Sequence, residues 1–200
     1  SSDVCSSDLA GAPATFIIGV MKMLRMLFAT AALGLAATPV LAALDKGEEA
    51  PRFTAQGALA GKPIRVDLGT SLKKGPVVLY FFPAAFTSGC NLEAQAFAAA
   101  MDDFRKAGAT VIGMTGGNTH QLRDFSAKHC AGQFPVASAS KELIDRYDVS
   151  LGLADDKAGW SDRTTYVIDT DGRVAFVYSD LKPQEHVARS LAAVRSLTGK

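Results

Sequence analysis

The stretch VVLYFFPAAFTSGCNLEAQAF, Val77–Phe97, decides the fold of this chain. It opens on an uninterrupted apolar run, Val77–Phe82, with Gly-Pro before it and a proline after it. A short apolar run between such residues predicts a strand that is buried on both faces of a parallel or mixed sheet. A helix is predicted next, because Phe97, Met101 and Phe104 recur at a spacing that places them on one helical face.

Cys90 lies where the predicted strand gives way to the predicted helix, in the first turn of that helix. Unpaired backbone N–H groups and the positive end of the helix dipole meet there and favour a negative charge. A thiol in this position should ionise more easily than a free thiol, and the thiolate is the reactive form of cysteine. The carboxyl end of a buried strand is also where α/β sheets commonly bind ligands. We therefore interpret Cys90 as a nucleophile at a binding site.

Two residues upstream of Cys90 complete a pattern. Thr87 can turn its hydroxyl toward the sulfur or toward a substrate, and Pro83 can wall a pocket without offering a competing N–H. Each also has an ordinary structural explanation, since Thr87 or Ser88 can cap the helix and Pro83 can end the strand. The combination Pro-x-x-x-Thr-x-x-Cys after an apolar strand nevertheless resembles the active-site motif of the peroxiredoxins.

Further matches extend the resemblance over nearly all of the chain after residue 42. Gly47–Phe53 reproduces the Gly-x-x-Ala-Pro-x-Phe opening of the family, and Arg163 begins its Arg-x-Thr-aromatic sequence. A guanidinium near Cys90 would stabilise the thiolate and polarise a bound peroxide, although Arg163 taken alone could be a surface residue. Glu93 completes a Cys-x-x-Glu pattern, which implies a supporting, hydrogen-bonding role. An acidic residue in the first turn of a helix is, however, favourable in any protein.

The rest of the chain predicts an α/β fold. The pattern alone supports this class, and the resemblance implies a thioredoxin-like sandwich with a central mixed β-sheet flanked by helices. The path from Val77 to Thr115 is predicted to form a βαβ unit, with Asn118 as the N-cap of the next helix. Other predicted elements are an edge strand at 64–68, helices at 120–130 and 140–147, and a loop at 150–162. A β-hairpin is predicted from strands 164–169 and 174–179 around Asp171-Gly172. Pro183 is predicted to open a final amphipathic helix, whose apolar face includes Val187, Leu191, Val194 and Leu197.

The resemblance implies reduction of hydrogen peroxide or an organic hydroperoxide by a thioredoxin-like or other thiol reductant. Cys90 would attack the peroxide as a thiolate and become a sulfenic acid, while Thr87 and Arg163 hold the two oxygens in line. No flavin, haem or nicotinamide cofactor is expected. The chain has no Cys-x-x-Cys, which argues against a thiol–disulfide exchanger.

A second cysteine could resolve the sulfenic acid. One monomeric subgroup, the bacterioferritin-comigratory type, often places it five residues after the first, where this chain has Gln95. Some monomeric peroxiredoxins place it on the later helix, so the resemblance implies an intramolecular disulfide between Cys90 and Cys130 in a monomer or weak dimer. The alternative is that Cys130 is a buried apolar cysteine and that an external thiol resolves Cys90.

The first 42 residues are expected to lie outside the folded domain, which we place at 43–200. Residues 1–20 begin with SSDVCSSDL, which resembles a translated sequencing adapter, and we expect an artefactual or untranslated leader that includes Cys5. Residues 21–42 have the charged start, apolar core and small-residue cleavage site of a secretory signal peptide. The apolar stretch falls short of the ~20 residues of a membrane span. We therefore expect an exported, periplasmic protein with no stable membrane association after cleavage.

Charge and histidine content exclude two classes of function. The formal net charge is +1 and no basic stripe is present, which argues against a nucleic-acid partner. The histidines lack metal-ligand spacing, so no metal is expected. Two alternatives to an enzyme stay open at this point: a non-enzymatic redox sensor that uses Cys90 oxidation, and an inert binding module of the thioredoxin fold. The intact set of Pro83, Thr87, Cys90 and Arg163 argues against the second alternative.

Overall fold

The computed structural model describes residues 43–199, and the expectations for residues 1–42 lie outside this range. Within it, the strands of a single sheet are β1 (Thr54–Leu59), β2 (Lys62–Asp67), β3 (Val77–Phe81), β4 (Thr110–Thr115), β5 (Val136–Ser138), β6 (Thr164–Ile168) and β7 (Val174–Ser179). The α-helices are α1 (Leu68–Leu72), α2 (Ser88–Ala99), α3 (Met101–Lys106), α4 (Leu122–Lys128), α5 (Lys141–Arg146) and α6 (His186–Thr198). The strand order is β2-β1-β5-β4-β3-β6-β7, with β3–β4 and β4–β5 parallel and the other pairs antiparallel.

Strand β3 lies inside the sheet between β4 and β6, and all of its residues are buried. Its side chains alternate between two cores, as the pleat of a strand requires. Val78 and Tyr80 pack with α2, α3, α4 and α6, whereas Leu79 and Phe81 pack with α1 and α5. The predicted strand buried on both faces is therefore confirmed, together with helices on the two sides of a mixed sheet.

The connections that position the site are also confirmed. Strand β3, the α2–α3 segment and β4 form the predicted βαβ unit, with Val77 opposite Thr110. Strands β6 and β7 pair as the predicted hairpin, whose turn includes Gly172 at φ +88°. Because β3 and β4 are parallel, their carboxyl ends lie side by side, and α2 begins at that edge of the sheet.

The helical segments after Cys90 and after Asn118 differ from the prediction. The helical segment after Cys90 is interrupted at Ala100, yet Phe97, Met101 and Phe104 all remain in one core. The helix predicted at 120–130 is a 3-10 turn, Thr119–Gln121, followed by α4, which ends at Lys128. Asn118 precedes that turn at φ +54° and makes no side-chain cap, and its amide NH2 group donates to the Ala85 carbonyl at 2.8 Å.

The last helix begins later than predicted, at His186 rather than Pro183. The preceding segment is folded into turns around Asp180, whose carboxylate accepts the Lys182 N–H at 2.8 Å. Leu197, expected on the buried face, is 43% exposed, because the most deeply buried stripe of α6 runs through His186, Ser190 and Val194 instead.

Candidate active site

The turn between β3 and α2 is held against the end of β4. The hydroxyl of Thr115 donates to the Pro83 carbonyl at 3.0 Å, and the Ala85 N–H donates to the Gly117 carbonyl at 3.2 Å. Gly117 is required for this approach, since a side-chain Cβ there would collide with the Pro83 carbonyl oxygen. The turn that carries Pro83 is therefore anchored to the end of β4 through the Pro83 carbonyl.

Phe86, in the same turn, has a left-handed backbone with φ +64°. This conformation is costly for a bulky side chain, by about 1–3 kcal/mol, and residues held in it cluster at functional sites. Its ring packs against those of Phe125 and His129, with centroids 5.6 Å and 5.3 Å away. These contacts stabilise the turn that precedes Cys90.

Helix α2 begins directly after this turn and carries Cys90 in its first turn, as predicted. Thr87 is the N-cap residue by position, but its hydroxyl makes no cap and instead donates to the Ala84 carbonyl at 3.0 Å. The oxygen of that hydroxyl keeps its lone pairs and can still accept a hydrogen bond. Cys90 itself is 1% exposed, so a reactant must enter a nearly closed site.

Arg163 is brought to Cys90 from the start of β6. Its Nη2 group lies 3.5 Å from the Cys90 Sγ atom, and its Nε–H donates to the Leu181 carbonyl at 2.8 Å. The side chain is 5% exposed. Burial works against its charge, but Glu93 and Cys90 together raise the pKa of Arg163 above its ordinary value. A fixed, permanently charged donor thus faces the sulfur.

Glu93 lies one turn after Cys90 on α2 and forms a buried ion pair with Arg163. The contact joins the Arg163 Nη1 group to one carboxyl oxygen of Glu93. Burial raises the pKa of Glu93 to about 8, although Arg163 opposes this rise. The other carboxyl oxygen has no hydrogen-bond partner and lies 3.7 Å from the Nδ1 atom of His186. Glu93 is therefore hydrogen-bonded to Arg163, while its supporting role in the reaction stays a prediction.

His186 is fully buried at the start of α6 and was not singled out in the sequence. Its Nε2–H donates to the Asp180 carbonyl at 2.8 Å, and its Nδ1 atom accepts from the Thr165 hydroxyl at 2.8 Å. Burial lowers the pKa of His186, so the imidazole is neutral at neutral pH. The spacing of four residues from Val194 through Ser190 to His186 was the signal that could have placed it on the buried face.

Cys130 is a free, fully buried thiol just beyond the end of α4. Burial raises the pKa of its thiol well above the ordinary value, so the enclosed group is a poor nucleophile. Ala131 and Gly132 follow it in left-handed conformations, with φ of +46° and +64°. Cys90 and Cys130 belong to the same core and are not bonded to each other.

The segment before Cys130 contacts the helix that carries Cys90. The side chain of Gln95 lies 3.2 Å from the Nδ1 atom of His129, and these residues border a groove of about 420 Å³ between α2 and the end of α4. Gln95 occupies the position where a second cysteine was considered in the sequence. The segment that carries Cys90 and the segment that carries Cys130 therefore meet along this groove.

The structure brings Arg163 into contact with both Cys90 and Glu93 and places Thr87 and Pro83 in the adjoining turn, while Cys130 lies in the same core. Among residues 43–199, no group of three His, Cys, Asp or Glu side chains is arranged to hold a metal ion. Over the same residues, no helix is long and apolar enough to cross a membrane.

The sequence and its fold are similar to those of known proteins. A family model described as the AhpC/TSA family matches residues 46–177. The chloroplastic peroxiredoxin Q of Sedum lineare is 31% identical over 159 residues, which is 79% of this chain and 82% of the relative. That of Arabidopsis thaliana is 35% identical over 159 residues, or 78% of this chain and 70% of the relative.

Solved structures of other proteins also resemble the structure of this chain. The crystal structure of peroxidoxin BcpB from Mycobacterium tuberculosis superposes with a TM-score of 0.67 at 31% identity, covering 77% of this chain and 98% of that one. AhpC of the same organism shares the fold, with a TM-score of 0.65 at 21% identity over 78% of this chain and 94% of that one. The predicted thioredoxin-like sandwich is confirmed by these superpositions.

Proposed function

The chain belongs to the AhpC/TSA family, as a peroxiredoxin of the bacterioferritin-comigratory type, and we propose that Cys90 is its peroxidatic cysteine. It is a thiol-dependent peroxidase, which acts on peroxides with a thioredoxin-like reductant. The observation that carries the assignment of Cys90 is the 3.5 Å contact between its sulfur and the Arg163 guanidinium at the start of α2.

In the proposed reaction, the Cys90 thiolate attacks one peroxide oxygen. A sulfur–oxygen bond forms, the oxygen–oxygen bond breaks, and the leaving oxygen takes a proton to become water or an alcohol, so that Cys90 ends as a sulfenic acid. Arg163 donates fixed N–H groups toward the reacting oxygens, where negative charge develops. The Thr87 hydroxyl accepts a hydrogen bond from the peroxide, and Pro83 walls the opening of the site.

Continuous turnover tests this function. With a supplied dithiol, the enzyme should consume many equivalents of hydrogen peroxide per protein. Consumption that stops after one equivalent would support the redox-sensor alternative, which the family comparisons do not favour. Comparing hydrogen peroxide with an organic hydroperoxide in the same assay identifies the preferred substrate.

We further propose that Cys130 resolves the sulfenic acid. The Cys130 thiol attacks the sulfur of Cys90, a disulfide forms, and water leaves. The main support is the set of contacts that join the two segments: Phe86 before Cys90 packs on His129 before Cys130, and Gln95 reaches the same imidazole. Loosening these contacts releases both segments together. Because Cys130 is fully buried in the reduced fold, its attack must follow such a local opening.

Peptide mapping under non-reducing conditions tests this step after treatment with one equivalent of peroxide. A linked Cys90–Cys130 peptide is expected, and it should be absent from a Cys130→Ser variant. Free Cys130 beside an over-oxidised or externally capped Cys90 would instead make this an enzyme with a single working cysteine. The same samples, run by size-exclusion chromatography, test the proposal that the protein is a monomer or weak dimer.

We also propose that the enzyme is exported to the periplasm. The support is the signal-like sequence of residues 21–42, which lies outside the described residues. Expressed from Met21 or Met23 in a Gram-negative cell, the protein should be cleaved after Ala42 and recovered from the periplasmic fraction. An intact N-terminus in the cytosolic fraction would refute export.

A further inference from the structure

One buried guanidinium faces two groups that can each carry a negative charge. Arg163 donates from Nη1 to the Glu93 carboxyl group and presents Nη2 to the Cys90 sulfur. Among residues 43–199, no other lysine or arginine forms an ion pair or hydrogen bond with either group. A buried charge without a partner is costly, so a single guanidinium stabilises one such anion far better than two.

The free oxygen of Glu93 suggests which group gives up its charge. Its Oε1 atom is buried and accepts no hydrogen bond, and the Nδ1 atom of His186 lies 3.7 Å away. A buried carboxylate oxygen without a donor is rare, because it loses its water without replacement. As part of a neutral carboxylic acid, the same atom would no longer carry a charge that needs a donor.

The tautomer of His186 favours the neutral acid. The Asp180 carbonyl can only accept a hydrogen bond, so the imidazole proton lies on Nε2, 2.8 Å from that oxygen. Nδ1 then carries a lone pair, toward which the Thr165 hydroxyl donates at 2.8 Å. His186 thus presents no N–H to Glu93, and the lone pair on its Nδ1 atom opposes a carboxylate on this side.

We propose that Arg163 balances one negative charge at a time, so that Glu93 holds a proton whenever Cys90 is a thiolate. His186 is then a positioning residue, which keeps Glu93 in its neutral form. The step moves one proton, from thiol plus carboxylate to thiolate plus carboxylic acid, and needs no other reactant. This inference rests on the proposed role of Cys90, and it adds that the acidity of the nucleophile depends on a carboxyl group that never touches the peroxide.

The other titratable groups near this site do not supply a competing charge. The phenol of Tyr80 on β3 shares the same core, and burial raises its pKa well above the ordinary value, so it stays neutral. The carboxylate of Asp180, next to His186, is exposed and accepts the Lys182 N–H. Burial also raises the pKa of Glu93 itself, in agreement with its neutral form.

Carboxyl-carbon NMR on the reduced enzyme, labelled at glutamate, tests the proton's location. Followed over a pH series, Glu93 should be protonated in the wild type at neutral pH, and the midpoint of its titration should move to lower pH in Cys90→Ser, where no thiolate competes for Arg163. The Glu93→Gln variant assigns the signal. The same titration midpoint of Glu93 in both proteins would overturn the proposal. Failure of the proposed function would instead appear as peroxide turnover by Cys90→Ser.

A second variant tests the part assigned to His186. His186→Asn presents an amide N–H to Glu93, stabilises its carboxylate, and should lower the ultraviolet thiolate absorbance at neutral pH by about threefold or more. Ser190→Ala is the matched control, because Ser190 is buried on the same helix and bonds to the His186 carbonyl. It should keep the wild-type absorbance. A folded His186→Asn protein with unchanged thiolate absorbance would overturn the positioning role, and if that variant does not fold, the NMR comparison decides alone.

Discussion

Replacing Arg163 by lysine should slow the oxidation of Cys90 while keeping the charge. The guanidinium serves three acceptors in different directions: the Leu181 carbonyl, the Glu93 carboxyl group and the Cys90 sulfur. A single ammonium on a straight chain cannot reach all of them, and the Leu181 carbonyl and the Glu93 carboxyl group compete with the sulfur for it. The thiolate then loses one charge-assisted hydrogen bond, which is worth about 1.5–3 kcal/mol. The second-order rate constant should fall about 10- to 150-fold.

The rate constant should be measured by mixing reduced protein rapidly with excess hydrogen peroxide, beside a melting curve for each variant. Arg189→Lys is the matched control, since that arginine is exposed, pairs with Glu185 and lies over the Tyr178 ring. It should react within about twofold of the wild type. An Arg163→Lys protein that melts normally and also reacts within about twofold of the wild type would refute the geometric argument.

Three further outcomes follow from the same structure. Thr87→Ser should retain most of the peroxide reactivity and Thr87→Val should lose about tenfold or more, since only serine keeps the accepting hydroxyl; equal rates would remove Thr87 from the reaction. Gly117→Ala should destabilise the fold by about 1–3 kcal/mol and slow turnover, because its Cβ collides with the Pro83 carbonyl, whereas Gly159→Ala meets open space and should be neutral in a denaturant titration. Burial lowers the pKa of His186, so the unfolded chain binds a proton at this residue more readily than the folded chain does. The free energy of unfolding therefore decreases as the pH falls below the ordinary histidine pKa of 6.5. The stability advantage of the wild type over His186→Gln should therefore shrink between about pH 7 and about pH 5, and a constant difference would contradict a buried neutral imidazole.

Structural features that depend on neighbouring residues in the sequence were predicted well. The apolar run Val77–Phe82 between Gly-Pro and Pro83 predicts a fully buried strand, and the turn and helix that follow it place Cys90 at the edge of the sheet. The β6–β7 hairpin was equally visible, because Asp171-Gly172 separates two strand-like runs. Each of these predictions depends on residues that are close to each other in the sequence.

Features that depend on distant residues were not visible in the pattern. Arg163 lies 73 positions from Cys90, and only the family resemblance suggested that they meet. His186 was missed because a histidine at the start of a helix has no local reason to be buried, and its partners come from β6 and the loop after β7. Phe86 adopts a left-handed backbone that its residue type disfavours, and only packing against the α4 segment explains it.

The most direct measurement of the central claim is the trapping of the sulfenic acid. The Cys130→Ser variant of residues 43–200, reduced and then treated with one equivalent of hydrogen peroxide in the presence of dimedone, should carry a single dimedone adduct on Cys90. Mass spectrometry of its peptides reports the modified residue. Consumption of the peroxide with Cys90 still recovered as a free thiol would contradict the assignment of this residue as the peroxidatic cysteine.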